Sequence, residues 1–340
     1  MLKKLTEAFG VSGCETPIRN IIENEIKNYC DELRCDNMGN LIAFKKSQLP
    51  DAKTVLLSAH MDEVGFIVTK ITSDGYLKFD TVGGIDARIL ASQKVKTNSA
   101  NGVISYKAVH LTNKEERQKA PSIENFYIDI GAENKEDAEK YVTPGDCFAF
   151  DSDYVEFGSM IKAKALDDRL GCAIMIEILK RNWNVNLYCA FTVQEEVGLR
   201  GASAAVHGLT PDYALVIEGT TCNDMPGVSD NLRVTKSGNG AAISILDSAS
   251  RANQEIIGLL KTVAENNGIP YQFKASTAGG NDAGAIYISN GGIKTASISV
   301  PCRYSHSPVC VMHKQDFESC KNIVAAFLDV LGKEKIPDDK

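Results

Sequence analysis

The residues able to do chemistry fall in five short stretches: His60-Met61-Asp62, Asp167-Asp168, Glu195-Glu196, Glu218 and His306. Imidazoles and carboxylates are ligands of zinc-type ions, and two such ions about 3.5–4 Å apart need a carboxylate shared between them. With Asp167 as the bridge, His60 and Glu218 complete one ion's ligand set, and Glu196 and His306 complete the other's. Three carboxylates and two neutral imidazoles leave that pair of divalent ions positive. A shared water would then lose a proton near neutral pH, becoming a bridging hydroxide nucleophile. The adjacent acids divide the labour: Glu196 binds metal, while Glu195 moves protons as general base and then acid. Asp62 stands two residues past His60, placed to hold its far ring nitrogen.

Taken singly, each residue has an ordinary reading. His60 reads as a structural histidine, Asp167 as a helix cap, Glu195-Glu196 as a solvated pair, Glu218 as a turn acid and His306 as a loop residue. What joins them is position. Thr54–Ala59, Val185–Val193, Tyr213–Ile217 and Lys294–Val300 are short apolar runs that read as buried strands. His60, Glu195-Glu196, Glu218 and His306 follow their ends, and Asp167 opens a strongly apolar helix. In open α/β sheets the ligand crevice lies outside the carboxyl ends of the strands. His110, His207 and His313 lack such neighbours and read as structural.

The remaining elements fit an α/β fold with a mostly parallel sheet flanked by helices. Helices are expected at Leu2–Phe9, after Thr16 as N-cap with Pro17 in first position, and at Asn253–Asn266, Asp282–Ile288 and Gln315–Leu331. From Phe66 to Phe157 short β-type segments alternate with turns, which suits a small β-barrel inserted into the α/β unit. The division expected is a discontinuous catalytic domain, 1–65 and 158–340, and an inserted β-rich domain, 66–157.

Composition narrows the function. The 340 residues are 44% apolar and 24% charged, ordinary for a globular chain. A net charge of −7 without a Lys/Arg-rich block argues against nucleic acid. No apolar run is long enough to span a bilayer, so no membrane partner is expected. Ten cysteines without a C-x-x-C pair read as reduced thiols, and no signal-peptide h-region is visible, which points to the cytoplasm.

His60-x-Asp62, Ala165-Leu166-Asp167-Asp168-Arg169, Gln194-Glu195-Glu196-Val197-Gly198, Glu218-Gly219-Thr220 and Arg303-Tyr304-Ser305-His306-Ser307-Pro308 together resemble the M42 family of metallo-aminopeptidases. That family includes glutamyl aminopeptidases, TET peptidases and proteins labelled cellulase or endoglucanase. The resemblance runs from the first helix to the last. It implies a zinc-peptidase-like fold holding two divalent ions per subunit, Zn²⁺ or Co²⁺, on His60, Asp167 and Glu218 and on Asp167, Glu196 and His306. It places the general base on Glu195 and the histidine-orienting acid on Asp62. Many relatives carry Asp where this chain has Glu218. The resemblance also implies dimerisation through the inserted domain and a homo-oligomer, a hollow dodecamer admitting short peptides.

The expected function is thus a dinuclear metal-dependent aminopeptidase that removes N-terminal residues from short peptides. The alternatives are a metal-dependent deacylase or carboxypeptidase on the same fold, with Arg303 or Arg88 gripping a substrate carboxylate, and a non-catalytic assembly protein. A glycosidase is weaker, since that chemistry needs two carboxyls and no metal. Gly279 to Ala283 reads either as a specificity-pocket lining or as a helix cap at Asn281 or Asp282. The preferred N-terminal residue, the metal, the oligomer size and the physiological peptides stay open.

Overall fold

The computed structural model describes residues 1–333. Residues 334–340 of the expected 158–340 segment lie outside the described residues. The centre of the molecule is an eleven-stranded mixed sheet. Its four middle strands, in spatial order Asn186–Thr192, Thr54–His60, Tyr213–Thr221 and Thr295–Arg303, run parallel. All four are apolar along most of their length and buried on both faces, the pattern of a parallel sheet covered by helices. Antiparallel strands extend the sheet at both sides, Leu41–Lys45 and Glu32–Cys35 on one and Cys310–His313, Met160–Ala163 and Val155–Phe157 on the other.

The helix Leu166–Leu179 is buried along nearly its whole length, because almost every residue after its first turn is apolar. It packs across Thr54–His60 and Tyr213–Thr221. The amphipathic helices Thr16–Ile26, Gln254–Asn266 and Lys314–Leu331 turn apolar stripes to the same core. A smaller cluster with Ala202, Val216 and Ile286 fills the opposite face.

Between Gly65 and Phe150 six strands close a barrel: Gly65–Ile71, Leu77–Val82, Tyr127–Asp129, Asn101–Ser105, Lys94–Lys96 and Cys147–Phe150. It has its own core, in which Phe66 meets Phe79 and Phe150 edge to face at centroid separations of 5.2 and 5.1 Å.

Several boundaries differ from the sequence reading. The second helix begins at Thr16 itself, with Glu15 as the preceding cap residue, so Thr16 is not the N-cap. The helix expected at Asp282–Ile288 is only Ala283–Ile286. Glu218 is not in a turn: its strand continues to Thr221 because it stays paired with Thr295–Arg303. None of the ten cysteines is in a disulfide. No helix among the described residues is long and apolar enough to cross a membrane.

Candidate active site

The carboxyl ends of the four parallel strands deliver the site. His60 is the last residue of its strand, Glu195 and Glu196 lie in the loop after Asn186–Thr192, and His306 follows Thr295–Arg303. Asp167 opens the buried helix in a non-helical conformation, φ −80° and ψ 105°. No side-chain hydrogen bond caps this helix, and the Asp167 carboxylate lines the crevice. Gly219 permits this approach, since a Cβ there would stand 2.8 Å from Asp167 Oδ1.

The side chains converge on a cleft of about 390 Å³ lined by His60, Asp167, Glu195, Glu196, Glu218 and His306. His60 Nε2 lies 3.2 Å from Glu218 Oε1, 3.6 Å from Asp167 Oδ1 and 3.9 Å from Glu195 Oε2. His306 Nε2 lies 3.1 Å from Glu196 Oε2 and 3.7 Å from Asp167 Oδ2. Asp167 thus shows one oxygen to each histidine. Asp168 also comes within ligand range of His60 and Glu218, but its oxygens accept the backbone N–H groups of His60 at 3.2 Å and Gly171 at 3.1 Å. Asp167 is the open carboxylate of the two.

Asp62 lies beneath this ring, fully buried. It accepts hydrogen bonds from the Ser12 hydroxyl at 2.6 Å and from the backbone N–H groups of Glu195 at 3.0 Å and Glu196 at 3.1 Å. His60 Nδ1 is 3.1 Å from the Asp62 carbonyl oxygen and 3.4 Å from its carboxylate, which leaves Nε2 facing the cleft. Glu15 Oε1 extends the support by accepting the Gln194 N–H at 3.2 Å. His306 is steadied from the barrel, its Nδ1 2.8 Å from the Gly84 carbonyl oxygen.

So many acids out of water perturb one another. Burial pushes the Glu195 carboxyl up to about 10, with Glu218, Asp282 and Glu196 adding to it against the opposing charge of His60. Burial likewise raises Glu218 to about 8. Burial disfavours a charged His306, yet the Glu196 and Asp167 carboxylates outweigh it and raise the imidazole to about 10. His60 is also raised well above its usual range, since Glu218, Asp167 and Asp62 overcome its burial. Glu196 Oε1 and Glu218 Oε2 are buried without a hydrogen-bond partner. Carboxylates that turn one oxygen to an imidazole nitrogen and leave the other unpartnered fit divalent cations, whose charge would replace the protons held there.

Sequence reasoning named all seven of these side chains but missed their supports. Ser12 and Glu15 gave no signal, because they act through space on Asp62 and Gln194, 50 and 179 residues away. Asp282 looked like a helix cap; instead it is buried, takes the Thr192 hydroxyl at 2.5 Å and leaves Oδ1 without a partner. Asn281 does cap, accepting the Ala283 N–H at 3.0 Å, and also lines the cleft with Gly280. Neither nominated arginine is free. Arg303 grips Asp224 at 2.7 and 2.8 Å, and Arg88 is paired with Asp86.

Comparison with known proteins finds peptidases similar to the chain over nearly its whole length. The model of the family described as M42 glutamyl aminopeptidase matches residues 39–323. An aminopeptidase of the archaeon Desulfurococcus kamchatkensis superposes with a TM-score of 0.91 at 35% identity, covering 96% of this chain and 93% of its own. The Pyrococcus horikoshii TET1 peptidase, described as assembling into a tetrahedron or a large octahedral shell, gives 0.85 at 35% identity, covering 96% and 98%. A lysyl aminopeptidase of Pyrococcus furiosus is 29% identical, over 97% of this chain and 96% of its own.

Proposed function

The chain belongs to the M42 glutamyl aminopeptidase family and is a hydrolase of peptide N-termini, and from that premise we propose that it works as a dinuclear metallo-aminopeptidase on short peptides. The observation that carries the reading is Asp167, with its two oxygens turned to two histidines. His60, Asp167 and Glu218 would hold one divalent ion, Zn²⁺ or Co²⁺, and Asp167, Glu196 and His306 the other. When bound, the ions supply Lewis-acid polarisation of the scissile carbonyl and lower the pKa of the attacking water.

The chain's own residues do the rest. Glu195 projects beside His60 without ligating; it takes a proton from the attacking water and returns it to the departing amine. Its raised pKa in the ion-free protein reflects a buried site rich in acids, and neighbouring cations would bring it toward working range. Asp62 orients His60 and fixes the backbone from which Glu195 and Glu196 project. The acid-lined cleft accepts the free α-ammonium group of a peptide, which favours exopeptidase action.

The chain divides, in this reading, into a catalytic domain, 1–65 and 158–340, and an inserted domain, 66–157, through which copies dimerise toward a dodecamer. The separate barrel core and the exposed Val109 and Leu111 support that role. Unpaired thiols support a cytoplasmic location.

The test is hydrolysis of aminoacyl p-nitroanilides, free or N-acetylated, by metal-reconstituted wild type and Glu195→Gln. Free-amine substrates alone should turn over, and the variant should lose about 10²–10⁴ in kcat while retaining its metal. Turnover of acetylated substrates would move the reading to a deacylase.

A further inference from the structure

Where the barrel meets the rest of the chain, two cysteines pack together. Cys14 ends the tight turn Val11–Cys14, its N–H donating to Val11 O at 2.7 Å and Gly13 taking φ +87°. Cys147 opens the barrel strand Cys147–Phe150. Both belong to a small apolar cluster with Val11, Ala149, Ile67 and Val82, distinct from the main core and from the barrel core. Within that cluster the two thiols share a hydrogen bond.

The pair is asymmetric. Cys14 is partly exposed, whereas Cys147 is only 5% exposed. The Cys147 thiol donates to Cys14 and holds it below the usual thiol range, against burial and the charges of Glu15 and Asp146. Cys147 is raised in consequence, and burial adds to the shift. An accessible sulfur inclined to ionise, beside a second thiol, is the arrangement of an attacking and a resolving cysteine. Cys302 and Cys310 also touch, but both are buried, and their mutual hydrogen bond and burial raise Cys302 well above its usual range. Cys35 is exposed, with its thiol turned to the Asp36 carbonyl oxygen at 3.5 Å.

The turn that carries Cys14 also supports the reacting centre. Ser12, two residues earlier, donates to Asp62 at 2.6 Å, and Glu15, the next residue, accepts the Gln194 N–H at 3.2 Å.

We propose that Cys14 and Cys147 form a peroxide-sensitive modification site whose reversible disulfide weakens the metal centre. The Cys14 thiolate attacks a peroxide oxygen, the O–O bond breaks, and the departing hydroxide takes the Cys147 proton. The Cys147 sulfur then displaces hydroxide from the Cys14 sulfenic acid, and that hydroxide takes the proton Cys14 had released. Two thiols lose two electrons, and one hydrogen peroxide becomes two waters. Closing the sulfurs to about 2.05 Å draws the turn toward the barrel and strains the Ser12 and Glu15 hydrogen bonds. The linkage is independent of the aminopeptidase reading; its effect on the metal centre rests on that reading.

The test treats Zn²⁺-loaded wild type, Cys14→Ser, Cys147→Ala and Cys35→Ser with a small excess of hydrogen peroxide and maps the peptides by mass. In wild type the Cys14 and Cys147 peptides should be joined by a bond that a phosphine reductant opens. Zn²⁺ affinity and hydrolysis of a free-amine p-nitroanilide should fall about tenfold or more, as when outer support of a ligand is lost. Both should return on reduction, and both should be spared in Cys14→Ser and Cys147→Ala but not in Cys35→Ser. Peptides that stay unlinked overturn the proposal, as does a linked protein with unchanged Zn²⁺ affinity. An equal loss in Cys14→Ser and Cys147→Ala also overturns it, by placing the damage elsewhere. If no free-amine substrate turns over, the aminopeptidase reading falls, while the linkage and the Zn²⁺ affinity still decide this proposal.

Discussion

The Nδ1 of His306 lies 2.8 Å from the carbonyl oxygen of Gly84, so a histidine delivered by the main sheet is oriented by the barrel. The adjoining Gly83 has φ +80°, and a Cβ there would stand 2.8 Å from Val64 Cγ1. Gly83→Ala should therefore shift the Gly84 carbonyl away from the imidazole. Loss of such outer support typically lowers metal affinity or activity about 10–100-fold. Titration of the stripped variant with Zn²⁺ checks this, and wild-type affinity would refute it.

Asp62 accepts from Ser12, Glu195 and Glu196 at once, and an asparagine cannot reproduce that set. Asp62→Asn should leave a buried backbone donor unsatisfied, costing about 1–3 kcal/mol in stability. Turnover should fall with it, because both acids project from the displaced segment. Urea unfolding and steady-state kinetics report the two effects separately.

Glu63 is buried against two cations. Lys164 Nζ reaches both of its oxygens at 2.7 Å, and Arg169 Nη2 reaches one at 3.3 Å. Arg169 also donates to the carbonyl oxygens of Met61 and Leu5, tying the His60–Asp62 turn to the first helix. Glu63→Ala strands both cations in the core, and breaking a buried pair this way costs about 3–5 kcal/mol. Chemical denaturation measures it; a loss under about 1 kcal/mol, the range of an exposed pair, would contradict the account.

Stripped of metal, the protein should lose stability as pH rises from 6 to 8. A raised imidazole such as His306, at about 10, contributes stability that is present below its unfolded pKa and lost as pH climbs through the folded value. Glu218, at about 8, and Glu195, at about 10, act in the same direction. Each keeps a proton in the folded state that the unfolded chain has already released. Metal ions displace those protons, so the gap in Tm between loaded and stripped protein should widen with pH. Thermal scans at pH 6 and pH 8 test the sign; a gap that narrows would be inconsistent with it.

The central strands were legible because a covered parallel sheet demands continuous apolar runs, and Thr54–His60 and Asn186–Thr192 provide them. The ligand candidates were legible because each stands beside the end of such a run. The short strands Ala241–Ile243, Tyr271–Phe273 and Cys310–His313 were not read. Gly65–Ile71 was missed because its β-bulge between Val68 and Lys70 breaks the alternation of its faces. The supports from Ser12, Glu15 and Gly84 depend on chain segments meeting after folding, and no local spacing encodes that.

The bridged pair of ions is tested by a metal titration of the stripped enzyme, following hydrolysis of a free-amine p-nitroanilide against Zn²⁺ or Co²⁺ bound per chain. Activity should reach its plateau at two equivalents and be abolished by His60→Ala or His306→Ala, each of which should remove one ion from the count. Full activity with a single ion bound, or with none, would contradict the bridged pair on Asp167.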